Sequence, residues 1–312
     1  MDAPRKYFTS LPFILTILTA IPSFAAPAPS LDPEVTVIIS QDLPIYQQAL
    51  AGFKKIYTGR IQAINLKGNP NQIHQLREGR QISEKRLILT IGLIAAKAVK
   101  KAYPGTPTVF SMVFDPERFS LKDKKTTGVS LDVPSNILLG KIKELFWEAT
   151  RIGILYDPQK NTKILDFARQ ASRSQEISLV AVPVRSEKAL SEAIQKLEGK
   201  IDLLWMIPDS TVITPRSIGF ILLHFLRHKI PIVSFSEALV RKGSVAAFSP
   251  DYGAVGEEAG RLVLQVLKGK SPAELPIRSL KKTKLTVNLK TAKKMGVSLN
   301  PQSIKSADHV YK

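Results

Sequence analysis

Short apolar runs alternate with stretches of helical periodicity along most of the chain. The first run covers 35–40. An amphipathic stretch follows at 46–57, where Tyr46, Ala49, Leu50, Phe53 and Ile56 fall on one helical face. Further strands are predicted at 61–66, 87–90 and 107–114, with helices over 71–83 and 93–102. A second series begins after residue 130. Helices are predicted at 135–146, 162–174, 188–197 and 215–228, and strands at 151–156, 177–184, 201–206 and 230–235. The pattern closes with strand 244–248, helix 254–267 and strand 285–288.

Alternating strands and helices predict parallel βα units. Two such series in succession predict an α/β fold of two doubly wound, Rossmann-like lobes. The length of 312 residues suits two cores of about 120–150 residues each. Ligands of such sheets sit beyond the carboxyl ends of the strands, so two facing lobes would share a cleft.

The N-terminus changes the expected location. Arg5 and Lys6 precede an apolar run over 11–21, and Ser23-Phe24-Ala25 places small residues where a signal peptidase reads. The run is short for a bilayer span of about 20 residues, and Pro12 and Pro22 interrupt it. Residues 1–25 are therefore expected to be a cleaved signal peptide, with 26–30 as a loose mature start. With no cysteine there is no disulfide, thiolate metal site or cysteine nucleophile, nor a lipid anchor through an N-terminal cysteine. That favours a free periplasmic protein. The formal charge of +19 raises nucleic acid as a partner, but the lysines and arginines are scattered and no nucleic-acid motif accompanies them. No nucleic-acid partner is expected.

Catalytic signatures are missing. There is no G-x-S-x-G, H-E-x-x-H or G-x-G-x-x-G, and Gly269-Lys270-Ser271 lacks the earlier glycine of a phosphate-binding loop because Leu264 stands there. His224 and His228 share a helix face, but no acidic or third histidine partner lies near them in sequence, so they read as ordinary polar helix residues. No metal, no cofactor and no enzymatic activity are expected.

Polar groups instead gather at strand ends. Ser40 and Gln41 follow the first strand. Thr90 and Gly92 sit where the third strand opens into a helix, a natural place for an anion. Asp115, Asp209 and Asp251 could meet a ligand ammonium. Phe114, Phe235 and Tyr252 could wall an apolar side chain. The competing reading of each loop is that its serine or aspartate only caps the next helix, and this is strongest for Asp251.

With these loops in place, the chain resembles the ABC-transporter substrate-binding family with tryptophan- and tyrosine-binding members. The matching segments, in order, include Ser40-Gln41, Thr90-Ile91-Gly92, Val113-Phe114-Asp115-Pro116, Thr127-Gly128-Val129-Ser130, Ile207-Pro208-Asp209 and Asp251-Tyr252. The resemblance implies a type I periplasmic-binding fold whose lobes are joined by three crossings, near 129–134, 246–250 and 276–284. It places 31–130 and 249–276 in one lobe, and 131–248 and 277–312 in the other. It also implies a permease and an ATPase as partners, and a carboxylate contact at Thr90-Ile91-Gly92.

The expected function is thus the periplasmic solute-binding component of an ABC importer. It would act as a monomer and hold a small metabolite, an aromatic or branched amino acid among the candidates. A sensing module of the same fold is a competing reading. A two-lobed glycosyltransferase is another, opposed by the signal segment and the missing glycine-rich loop.

Overall fold

The run Val-Thr-Val-Ile-Ile forms strand β1 (Val35–Ile39), buried along its whole length. A strand covered on both faces reads as a continuous apolar run rather than an alternating one. The computed structural model describes residues 1–2, 35–79, 82 and 87–312. The chain divides into a unit of residues 1–32 and a unit of residues 33–312, and the second holds every described strand and helix. The predicted signal segment, from residue 3 onward, lies outside the described residues. No described helix is long and apolar enough to cross a membrane.

Residues 33–312 build two sheets. The first joins β1 to β2 (Ile61–Asn65), β3 (Leu87–Ile91), β4 (Thr108–Val113), β5 (Thr126–Ser130) and the short β11 (Arg278–Ser279). Their order is β11-β5-β4-β3-β1-β2, and every pair is parallel. The second sheet contains β6 (Arg151–Tyr156), β7 (Ser178–Pro183), β8 (Leu203–Trp205), β9 (Ile232–Ser234), β10 (Ala246–Pro250), β12 (Thr283–Asn288) and β13 (His309–Tyr311). Its order is β13-β12-β10-β9-β8-β6-β7, antiparallel only at β10–β12. In each sheet the strand order reverses around the first strand of the series, the signature of double winding.

Helices cover both faces. In the first lobe α1 (Pro44–Ile56) packs on one face, while α2 (Gln72–Glu78) and α3 (Leu93–Ala102) cover the other. In the second lobe α4 (Ser135–Leu145) and α5 (Thr162–Arg173) cover one face, and α6 (Leu190–Gln195) and α7 (Ser217–Arg227) the other. Three short helices complete this lobe: α8 (Glu237–Lys242), α10 (Leu289–Met295) and α11 (Pro301–Lys305).

The chain passes between the sheets three times. It leaves β5 through Leu131–Pro134 into α4. It leaves β10 into α9 (Tyr252–Leu267), whose buried face joins the core of the first lobe. It then returns from β11 to β12. This is the two-lobed, three-crossing α/β fold that the sequence predicts.

Helix α9 docks on α1 at backbone distance. A Cβ built on Gly256 would stand 1.8 Å from the Ala49 carbonyl oxygen, and one on Gly52 would stand 2.0 Å from that of Gly253. Only a missing side chain allows this approach, because backbone atoms cannot swing aside. Gly256→Ala is expected to pry the helices apart and to cost about 1–3 kcal/mol, the range for overpacking. A lowered denaturant midpoint would show it. An unchanged midpoint would mean that the seam is looser than described.

Candidate ligand site

The carboxyl ends of β4, β5, β8, β9 and β10 open on one cavity of about 780 Å³. Its size falls within the usual range for small-molecule pockets, roughly 300–1,000 Å³. Both lobes and all three crossings supply its walls.

One wall is aromatic. Phe114 comes from the β4 exit, Trp205 from β8, Phe235 from the β9 exit and Phe248 from β10. Phe167 on α5 adds a ring that is 53% exposed and faces the same space. Helix α5 carries Leu165, Ala168 and Ala171 inward, so Phe167 is an apolar residue beyond what its core contact needs. A large ring left open inside a cleft marks a surface awaiting a partner.

The same cavity also carries charge, gathered around Asp132. The Ser130 hydroxyl donates to Asp132 Oδ2 at 2.5 Å, and the Asp115 N–H donates to the same oxygen at 2.9 Å. The Asp132 N–H returns a bond to Ser130 Oγ at 3.0 Å. No other hydrogen bond to Asp132 is made among the described residues. Burial pushes its carboxyl above the usual range, and the Asp115 charge adds to that; the two donors act in the other direction.

The backbone around Phe114 is strained. Met112 (φ +60°) and Asp115 (φ +43°) both lie in the left-handed region, and the β4–β5 register shifts between Phe110 and Val113. Such a bulge re-aims the side chains that follow it, and here they are the cavity residues Phe114 and Asp115.

Lys163 reaches over from α5. Its ammonium pairs with the Glu117 carboxylate of the first lobe, and that bond, more than the charges of Asp115 and Asp132, holds its pKa above the ordinary lysine value. Arg118 lines the cavity beside it, with its guanidinium 4.6 Å from the centre of the Phe119 ring. The cavity therefore presents aromatic surface, a half-buried carboxylate and two cations.

Of the residues predicted from sequence, Phe114, Asp115 and Phe235 line this cavity. The others do not, and their contacts explain why. Ser40 Oγ accepts the Ala95 N–H at 2.9 Å and so caps the first turn of α3. Thr90 is wholly buried in β3, and its hydroxyl finds no partner. Gly92 (φ +93°) sits under Tyr46, whose hydroxyl lies 2.6 Å from where a Cβ would be, so the loop predicted to meet a carboxylate is roofed by a tyrosine. Gln41 is half-buried at the edge of the same loop. Asp251 caps α9 by accepting the Ala254 N–H at 3.1 Å. Tyr252 packs on the first-lobe core, and burial raises its pKa.

Asp209 is held more firmly still. Oδ2 accepts the Asp157 N–H at 2.7 Å and the Asn161 amide at 2.6 Å, and Oδ1 accepts the N–H groups of Thr211 at 2.8 Å and Val212 at 3.1 Å. It ties the β6 and β8 exit loops together, and from these loops Asn161, Ile207 and Pro208 line the space while Asp209 does not.

Sequence reasoning missed Asp132, Lys163, Phe167, Trp205 and Phe248. The available signals were the aspartate just past Ser130, at an expected crossing, and the surplus ring on α5.

Comparison with known proteins agrees with this fold. The sequence model of the family described as ABC transporter substrate binding protein matches residues 46–311. A tyrosine-binding protein of Clostridioides difficile (strain R20291) is 29% identical over 238 residues, covering 73% of this chain and 67% of that protein. Two solved structures share the fold. One is a ligand-free, open substrate-binding protein with adhesive properties from Clostridium difficile: TM-score 0.74, 21% identity, 90% of this chain and 100% of that one. The other is an ABC domain in complex with L-Trp from Streptococcus pneumonia: TM-score 0.64, 22% identity, 88% and 99%. The chain belongs to the ABC transporter substrate-binding protein family.

Proposed function

We propose that the protein is the solute-capturing component of an ABC importer and that its cleft takes an aromatic amino acid. The observation that carries the ligand is the mixed lining of the cavity, in which Phe114, Phe167, Trp205 and Phe235 occur together with Asp132, Lys163 and Arg118. A ring stacks on the aromatic wall. The α-ammonium meets Asp132, and the α-carboxylate meets Lys163 or Arg118. The tyrosine and tryptophan in the names of two similar proteins support the same class. Phe114, Asp115 and Asp132 belong to the first lobe and its exit, whereas Lys163, Phe167 and Phe235 belong to the second, so ligand bridges the lobes and favours their closure.

On this reading residues 1–25 direct export and are removed. The protein works in the periplasm as a monomer and docks, when closed, on a permease with its ATPase.

A ligand that binds only the folded protein, at 100–1,000 times its Kd, adds about 2.7–4.1 kcal/mol of stability. In a melting screen of the twenty amino acids and small organic anions, tyrosine, tryptophan or phenylalanine is expected to give the largest rise. Small-angle scattering should show compaction with the same compound. A rise with aliphatic amino acids or organic anions alone would overturn the aromatic assignment.

A further inference from the structure

Away from the cleft, the fold supplies what the histidine pair lacks in sequence. His224 lies on α7 and His228 caps its C-terminal end, one turn apart with rings 4.3 Å apart and nearly parallel. Glu198, just after α6, brings its Oε1 to 3.1 Å from His224 Nε2. One ligand atom from each of Glu198, His224 and His228 lies within 4.8 Å of the others.

We propose that Glu198, His224 and His228 form a surface site for a divalent transition-metal ion of the zinc class. Two imidazoles and one carboxylate are a donor set that zinc takes with a fourth, open position. The fold already orients the set. His228 Nδ1 bonds to the His224 carbonyl oxygen at 2.8 Å. A carbonyl only accepts, so Nδ1 carries the proton and Nε2 keeps its lone pair. Such an outer bond is how metal-binding histidines are commonly fixed. His224 is held by the edge of Phe225, with centroids 5.3 Å apart. Its Nε2 is buried without a well-formed hydrogen bond, although Glu198 stands at ion-pair distance. A metal would satisfy both groups. Ligand atoms around one zinc sit about 3.3 Å apart, given bonds of about 2.0–2.1 Å. The Glu198–His224 pair is already at about that spacing, at 3.1 Å.

The test is calorimetric titration of the full-length protein with zinc chloride alone at pH 7.5. One ion per chain is expected, with a Kd below about 100 µM. His228→Ala and Glu198→Gln, both at exposed positions, should each weaken binding by at least about tenfold while the metal-free melting temperature stays put. A variant lacking the other histidines, His74→Ala with His309→Ala, should bind as the parent does. Absence of tight binding, or parental affinity in both His228→Ala and Glu198→Gln, would overturn the site.

Discussion

Asp209→Ala is expected to lower stability by about 3 kcal/mol or more, a large fraction of what a domain has to lose. The substitution removes one carboxylate and strands the donors gathered on it: three backbone N–H groups, of Asp157, Thr211 and Val212, and the Asn161 amide. Each buried donor left without an acceptor costs about 1–3 kcal/mol, reduced where the loops relax and admit water. The Asp157 loop suffers most, because Asp157 also accepts the Thr211 hydroxyl at 2.6 Å and pairs with Lys160 at 3.6 Å. Asp209→Asn keeps one oxygen but turns the other into a donor that faces donors, so it should recover less than half of the loss. Urea denaturation of the two variants reads both effects. Ligand affinity of the folded fraction should change by no more than about threefold, since Asp209 does not itself line the cavity and reaches it only through Asn161 and Pro208. An affinity lost with stability intact would return Asp209 to the ligand-binding set that the sequence suggested.

That residue shows where sequence reading stops. The fold was legible because each link is local. Buried runs such as Val35–Ile39 mark parallel strands, and the face of Tyr46, Leu50 and Phe53 marks a covering helix. Connection rules then leave little choice of topology. The site is different. Ser40, Asp209 and Asp251 have the right chemistry at strand ends, but a side chain at that position either meets ligand or satisfies an exposed backbone N–H. Sequence does not tell the two apart. The structure gives all three to backbone donors. Phe114 and Phe235 line the cleft because a bulky apolar residue past a strand end has no backbone donor to satisfy, and Asp115 lines it even though its Oδ1 also accepts the Arg118 N–H at 3.4 Å.

What was missed was non-local. Lys163 and Phe167 lie on the second helix of the second lobe, and nothing near them in sequence shows that Lys163 pairs with Glu117 or that Phe167 joins Phe114 in lining the cavity. Glu198 and His224 are the same case, separated by strand β8 and joined only by packing. The short strands β5, β11 and β13 also escaped. Thr126–Ser130 has threonine and glycine where a buried strand usually shows valine and isoleucine, and β11 is two residues long.

Asp132→Ala is expected to weaken binding of the aromatic amino acid by about a hundredfold, or ~2.7 kcal/mol, within the range for deleting one partner of a buried, hydrogen-bonded charge pair. Two losses combine. The ligand ammonium loses its counter-charge, and Asp115 loses the acceptor of its N–H, which anchors a backbone held at φ +43°. Ser130→Ala separates them, because it removes one donor and keeps the carboxylate; about tenfold is expected there. The pH dependence has a definite sign. Asp132 is pushed above the usual carboxylate range in the free protein, chiefly by burial. An ammonium binds the ionised form, so binding expels any proton present and affinity falls as pH drops through that raised pKa. The decline should begin at a higher pH than an ordinary aspartate would give, and higher still in Ser130→Ala, where a bond favouring the charged form is gone. In Asp132→Ala this limb should vanish. Affinities by calorimetry across the acidic range decide the matter: an acid limb that persists without Asp132 would move the ammonium contact to Asp115 or Glu117.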